Sequence, residues 1–146
     1  MTAETFINRI ISILYRHNQR FLTQRLAQHA LPLEVGQIPA LIQAYRFPGI
    51  SQDGIAANTA LDKGTVARAV KQLEDAGFIY REVDERDRRV NHIYPTAKAQ
   101  ELEEQVFLLI RELHDILYQG FSPQEIDDAN SLLERMKSNI ANFRLD

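Results

Sequence analysis

Apolar positions recur at helical spacing over most of this chain and at strand spacing over one short stretch. Residues 5–29 carry Phe6, Ile10, Ile13, Leu14 and Phe21 on one stripe and Ile7, Ile11, Leu22 and Leu26 on another. That pattern predicts a long helix with more than one buried face. After a break at Ala30-Leu31-Pro32, residues 34–46 predict a second helix through Ile38, Leu41, Ile42 and Tyr45. Pro39 is tolerated because it falls near the helix start. Phe47-Pro48-Gly49 ends the helix, since Pro and Gly suit a turn. Ser51 is an N-cap for a short helix to about residue 58, and Thr59-Ala60-Leu61 turns. Asp62 caps a further helix that runs to about residue 76 and stops at Gly77. Val66, Val70 and Leu73 mark its buried face, so Lys63, Thr65, Arg68, Lys71 and Gln72 look outward.

Phe78-Ile79-Tyr80-Arg81-Glu82-Val83 and Val90-Asn91-His92-Ile93-Tyr94 are β-branched and aromatic runs, and they supply the one β signal. Six consecutive charged residues, 84–89, join them into a hairpin whose tip is held in water or against something anionic. The remainder is helical. A helix from Pro95-Thr96 carries Leu102, Val106, Leu109, Leu113 and Ile116 at alternating four and three, and Gly120 ends it. Ser122-Pro123-Gln124-Glu125 is a capping box with proline at the first helical position. The last helix carries Ile126, Ala129, Leu133, Met136, Ile140 and Phe143. Heptad spacing on two adjacent helices implies a seam against other helices. An intramolecular bundle would satisfy it, but the middle section accounts for its own core, so dimerisation through the terminal helices is the expectation.

Helix, short capped helix, turn, helix, charged hairpin is the order of a winged helix-turn-helix, whose second helix of the pair enters the major groove. A helix about 10 Å thick fits a groove ~12 Å wide, with base-reading side chains near its N-terminus. Lys63, Thr65 and Arg68 occupy those positions. Arg offers two donors to guanine, Thr bonds or touches a thymine methyl, and Lys takes phosphate. Gly64 would let the backbone approach a duplex closely, and Asp62 is structural.

Leu61-Asp62-Lys63-Gly64-Thr65-Val66-Ala67-Arg68, followed by Leu73-Glu74-Asp75-Ala76-Gly77-Phe78-Ile79, resembles the recognition helix of MarR-type regulators. The loop Asp84-x-Arg86-Asp87-x-Arg89 is similar to that family's wing signature, and Thr96 opens the next helix at the family's distance. The likeness extends over essentially the whole chain. It implies a mainly α fold with a small β-wing: a DNA-binding domain at 31–96 and a dimerisation region at 1–30 and 97–146. It also implies that Arg86 enters a minor groove, where a narrow A·T-rich groove attracts arginine. Asp84, Asp87 and Arg89 then shape the loop by charge-assisted hydrogen bonds, and Arg88 contacts phosphate. Many members release DNA when a small aromatic or phenolic anion binds. Tyr15, Arg16, His17 and Tyr45 would line such a site here, as an aromatic wall with a cation for a carboxylate.

Charge and composition adjust this reading without overturning it. The net charge of −3 hides an asymmetry: residues 1–98 hold 13 basic and 10 acidic side chains, residues 99–146 four and ten. The first segment is therefore +3 and the second −6, which lets a positive face form away from the acidic C-terminal third. With no cysteine, a disulfide framework, thiolate zinc site and the family's peroxide-sensing thiol are excluded. His17, His29, His92 and His114 show no paired metal-ligand spacing, so no metal and no cofactor are expected. Met1-Thr2-Ala3-Glu4 lacks a signal-peptide layout, and the longest apolar run, Val106-Phe107-Leu108-Leu109-Ile110, is far below the ~20 residues that span a bilayer. The cytoplasm is the expected compartment. No glycine-rich phosphate loop or nucleophile elbow appears, which disfavours an enzyme. The competing expectation is a winged-helix protein-interaction module that never touches DNA, although apolar residues rather than cations would then cover the outward face.

Overall fold

A computed structural model describes residues 6–144; the expected helix start at residue 5 and the leader reading of Met1-Thr2-Ala3-Glu4 lie outside the described residues. In chain order the elements are α1 (Ile7–Gln28), a 3-10 turn (Val35–Gln37), α2 (Ile38–Arg46), β1 (Ile50–Ser51) and α3 (Gln52–Thr59). They are followed by α4 (Lys63–Asp75), β2 (Ile79–Val83), β3 (Asn91–Pro95), α5 (Ala97–Leu117) and α6 (Pro123–Asn142). Contacts divide the chain into two compact units, Met1–Ile110 and Arg111–Asp146.

The caps read from sequence are made. Ser51 Oγ accepts from the Gly54 amide at 3.0 Å, and Asp62 Oδ1 accepts from the Thr65 amide at 2.7 Å. Gly77 takes the left-handed conformation, φ 81°, that ends α4. Two elements differ from expectation. The helix foreseen over 34–46 opens as a 3-10 turn, because Gln37 Oε1 accepts from the Glu34 amide at 3.0 Å in a reciprocal capping box. Pro39 adds to this, since it has no N–H to bond the Val35 carbonyl. The second difference is β1, which pairs antiparallel with β3 (Ile50 with Ile93, Ser51 with His92) and widens the hairpin into a sheet of order β1-β3-β2.

One core holds the first unit together. Phe78, Leu41, Ile55, Leu73, Ile93, Val66, Val70 and Val106 are all below 2% exposed, and they come from α2, α3, α4, β3, α5 and the lead-in to β2. Each such side chain contributes roughly 1.5–3 kcal/mol on burial, so none of these elements can detach cheaply. Leu26 of α1 and Ala99 and Leu109 of α5 join the same cluster. The core of the middle section is thus completed by the flanking helices, and the stripe expected to form a seam on α5 is in large part used within the chain. The end of α1 is buried at Leu22 and Leu26, whereas Phe6, Ile7, Ile10, Ile11 and Leu14 are exposed. Of the two buried faces expected of this helix, the single chain buries only one, the stripe of Leu22 and Leu26, and only toward its C-terminal end.

In the second unit, Gly120 at φ 82° turns the chain into α6. Ser122 and Glu125 close the capping box at 3.1 and 3.0 Å. Tyr118 accepts from Asn130 Nδ2 at 3.4 Å. No residue of α6 is buried, and Ile140 is 74% exposed.

Candidate nucleic-acid interface

Packing fixes the orientation of α4. Val66, Ala69, Val70 and Leu73 are buried, which turns Lys63, Arg68, Lys71 and Gln72 to the exposed side. Several of these outward groups already have partners. Lys63 Nζ lies 3.6 Å from Asp53 of α3, and Lys71 Nζ lies 3.0 Å from Asp75 one turn on. Such pairs are exposed, worth little, and readily exchanged for a stronger anion. Thr65 is half-buried and engaged more firmly, since its hydroxyl donates to Asp62 Oδ2 at 2.9 Å and accepts from Arg68 Nη2 at 3.1 Å. The Thr65 backbone and hydroxyl bonds, with Arg68 beside them, hold the Asp62 carboxyl below the usual carboxylate range. Gly64 has a local reason as well: a Cβ there would meet Asp62 Oδ1 at 3.3 Å and Arg68 Nη1 at 3.4 Å. The Asp62–Thr65–Arg68 cluster occupies the space a side chain would need.

The wing is built from hydrogen bonds. Asp84 Oδ1 accepts from the amides of Arg86 and Asp87 at 2.8 and 2.9 Å, and the Asp84 amide donates to the Val90 carbonyl at 2.9 Å. Asp87 and Arg89 form a two-pronged pair at 3.0 and 3.1 Å. That pair lowers the pKa of Asp87 and raises that of Arg89. The side-chain partner of Asp84 is a histidine of β3: Asp84 Oδ2 faces His92 Nε2 at 2.7 Å. This bond, with the two loop amides, brings the Asp84 carboxyl down to about 2. Arg86 and Arg88 are exposed at the tip, and no side-chain ion pair engages either among the described residues.

The four expected ligand-lining residues are not brought together as a pocket wall. Tyr45 is in the core: it packs against Phe107 at 5.9 Å between ring centroids, and its hydroxyl donates to the Ala99 carbonyl. Burial, and then the nearby Glu103, push the Tyr45 phenol up to about 12. Tyr45 is corrected to a packing residue, because a buried hydroxyl needs its partner and has found it. Tyr15, Arg16 and His17 lie exposed on α1, with Gln19 Nε2 donating to the Tyr15 hydroxyl at 3.1 Å. A hollow of about 320 Å³ opens elsewhere, lined by Gln19, Leu22, Val35, Ile38, Pro39, Ile42, Gln43, Thr59 and Ile110. None of the four lines it. Among the described residues no group of three or more His, Asp or Glu is placed to hold a metal ion, and no helix is long and apolar enough to cross a membrane.

Residues that pattern reading missed are those defined by distant partners. His92 bridges Asp84 and, at 2.8 Å through Nδ1, the Gly49 carbonyl. Asp53 lies 3.6 Å from Lys63. Thr96, read from sequence as a helix start, also donates to the Gly77 carbonyl at 2.6 Å.

A capped helix pair and a charged hairpin sharing one core define a winged helix-turn-helix. Residues 33–90 match the MarR family. Over 114 residues the chain is 34% identical to the uncharacterized HTH-type transcriptional regulator YybA of Bacillus subtilis, a match over 75% of this chain and 73% of that protein. A MarR transcriptional regulator from Methanosarcina mazei Go1 superposes with a TM-score of 0.83 at 32% identity, over 96% of this chain and 100% of that one. A putative MarR family regulator from Listeria monocytogenes, solved in complex with a 26mer DNA, gives a TM-score of 0.89 at 25% identity, over 94% and 91%. The chain belongs to the MarR family of transcriptional regulators. It is a regulator and not an enzyme.

Proposed function

We propose that this regulator binds duplex DNA as a cytoplasmic homodimer, with α4 in the major groove and the wing tip in the adjacent minor groove. The observation that carries the proposal is that Lys63, Arg68, Lys71 and Gln72 of α4 and Arg86 and Arg88 of the wing are all exposed, on elements that share one core. In this reading Arg68 and Gln72 read base edges, Lys63, Lys71 and Arg88 neutralise phosphate, and Arg86 enters the minor groove. Thr65 orients Arg68 and offers its methyl to a base, its hydroxyl being engaged by Asp62. Asp84, Asp87 and Arg89 hold the wing in shape.

The domain assignment proposed is 31–96 for DNA binding and 1–30 with 97–146 for dimerisation. The exposed apolar residues at the start of α1 and along α6 support it, since a solitary chain would leave Phe6, Ile10, Leu133 and Ile140 in water. A twofold dimer then reads a pseudo-palindromic site whose half-sites lie about one turn, ~34 Å, apart. The regulator is proposed to be a repressor released by a small aromatic acid or phenol. The apolar hollow beside Leu22, Ile38 and Ile42 supports that effector class, and exposed Tyr15, Arg16 and His17 on α1 are the proposed aromatic and charged contacts.

Selection from randomised duplexes, followed by gel-shift titration and light scattering, tests the reading. The expected result is a dimer bound to a two-half-site duplex, with affinity falling steeply as salt rises because phosphate contacts release counterions. A strictly monomeric particle, or no duplex recovered, would leave the interaction-module reading standing. Calorimetry with salicylate, together with release in the gel shift, tests the effector; no heat and no release removes that part.

A further inference from the structure

His92 sits on β3 at the root of the wing, and both of its ring nitrogens face acceptors. Nδ1 is 2.8 Å from the Gly49 carbonyl, and Nε2 is 2.7 Å from Asp84 Oδ2. A carbonyl oxygen and an ionised carboxylate have no proton to give, so each contact needs a proton on the histidine. A neutral imidazole has one N–H. Whichever tautomer it took, a bare nitrogen lone pair would face an oxygen at hydrogen-bond distance. The geometry fits the imidazolium.

The two contacts join segments far apart in the chain. Gly49, at φ 93°, closes the turn before β1, and its amide donates to the Ile93 carbonyl at 2.8 Å. Asp84 uses its other oxygen to hold the amides of Arg86 and Asp87. A continuous path therefore runs from the Gly49 turn through His92 and Asp84 to the loop that carries Arg86 and Arg88. We infer that His92 is a positioning residue for the wing, whose doubly protonated ring fastens the arginine-bearing loop to the Gly49 turn, so that wing-dependent DNA affinity falls when the ring loses its proton. The clamp stands on geometry alone; its consequence for affinity rests on the DNA-binding reading above.

The surroundings of His92 act mostly in the same direction. Glu82 is its cross-strand partner on β2 and Ser51 its neighbour on β1, while Glu85 and Arg86 share with it a hollow of about 290 Å³. Asp53 and Arg89 line a separate hollow with Ser51, the β1 residue paired with His92. Arg86 and Arg89 oppose the imidazolium; Asp84, Glu82, Glu85 and Asp53 favour it. Asp84 foremost, then the Gly49 carbonyl, raise the His92 pKa above its usual 6.5, against some desolvation. The ring is also open to solvent, 34% exposed in its side chain, so protons exchange without unfolding.

Two measurements on the full-length protein test the inference separately. Long-range proton–nitrogen correlation spectra read the ring directly: both His92 nitrogens protonated, with a midpoint above 6.5 that drops in Asp84→Asn, is the expected result. A ring with one bare nitrogen near pH 6 overturns the clamp. Affinity is then followed from about pH 6 to about pH 9 with a duplex recovered by randomised selection. The wild type should weaken roughly three- to tenfold, the scale of one lost hydrogen bond, with the midpoint seen for His92. His92→Gln, confirmed folded by circular dichroism, should bind at the weaker level and lack that step, whichever of His17, His29 and His114 also titrate. A variant that keeps the wild-type step overturns the positioning role. If the ring titrates as stated and no duplex is bound at any pH, the DNA-binding reading fails and the clamp survives.

Discussion

The two elements that carry the exposed cations, α4 and the wing, are held by different forces. Val66, Val70 and Leu73 anchor α4 with none more than 1% exposed, whereas no residue from 84 to 90 is buried and the wing loop keeps its shape through Asp84, Asp87 and His92. Apolar burial is indifferent to pH and little affected by salt near neutrality, while polar bonds at the surface depend on protonation and compete with water. One element is therefore positioned whenever the chain is folded, and the other is positioned conditionally. On the reading proposed above, a DNA-binding surface assembled from both would have a constant part and an adjustable part.

The largest expected effect comes from breaking the constant part. Leu73→Ala removes a side chain 1% exposed at the centre of the core and should cost about 3 kcal/mol in urea unfolding. Probes in α4 and in the wing should then lose structure in one transition; separate transitions would mean the two do not share the core. Next, Arg68→Ala and Arg86→Ala should each weaken duplex binding about tenfold, ~1.4 kcal/mol, with the circular dichroism spectrum unchanged. Unaltered affinity in both would remove the proposed contacts from the two elements alike.

A smaller stabilising change sharpens the comparison on the helix side. Ala60 sits at φ 59°, left-handed for a residue with a Cβ, in the turn between α3 and α4. Ala60→Gly should add about 1 kcal/mol to unfolding without touching wing behaviour. The smallest global effect is expected from Asp84→Asn, which should leave the unfolding midpoint near that of the wild type while the Arg86 and Asp87 amides exchange faster. The sign of its pH counterpart follows from the shifts. The Asp84 carboxyl is lowered to about 2, so its contribution is full above the usual 3.8 and fades as pH falls through about 2. His92 is raised, so its contribution is full below 6.5 and fades as pH climbs through the elevated value. Amide protection in the wing, taken relative to the intrinsic exchange rate at each pH, should be greatest between those limits. Above pH 3.8, where the Asp62 cap stays ionised, protection in α4 should not change with pH; equal pH dependence in both elements there would erase the distinction.

What could be read from the chain is what is encoded over a few residues. The caps at Ser51, Asp62 and Ser122, the stop at Gly77, the buried stripe of α4 and the hairpin runs are all set by neighbours within about four positions, where propensity and periodicity act directly. The outward cations of α4 follow from that stripe by geometry. The two-residue β1 has too little sequence to announce itself and exists because β3 supplies its hydrogen bonds. Tyr45 looked like a ligand wall until the Ala99 carbonyl, 54 residues on, took its hydroxyl. His92 was one histidine among four until folding set Gly49, 43 residues earlier, on one nitrogen and Asp84 on the other. Local patterns choose helix, strand and turn because backbone sterics and side-chain spacing are local. Which polar groups meet across the sheet, and so which protons are held, was decided only when tertiary packing brought distant segments within 3 Å of one another.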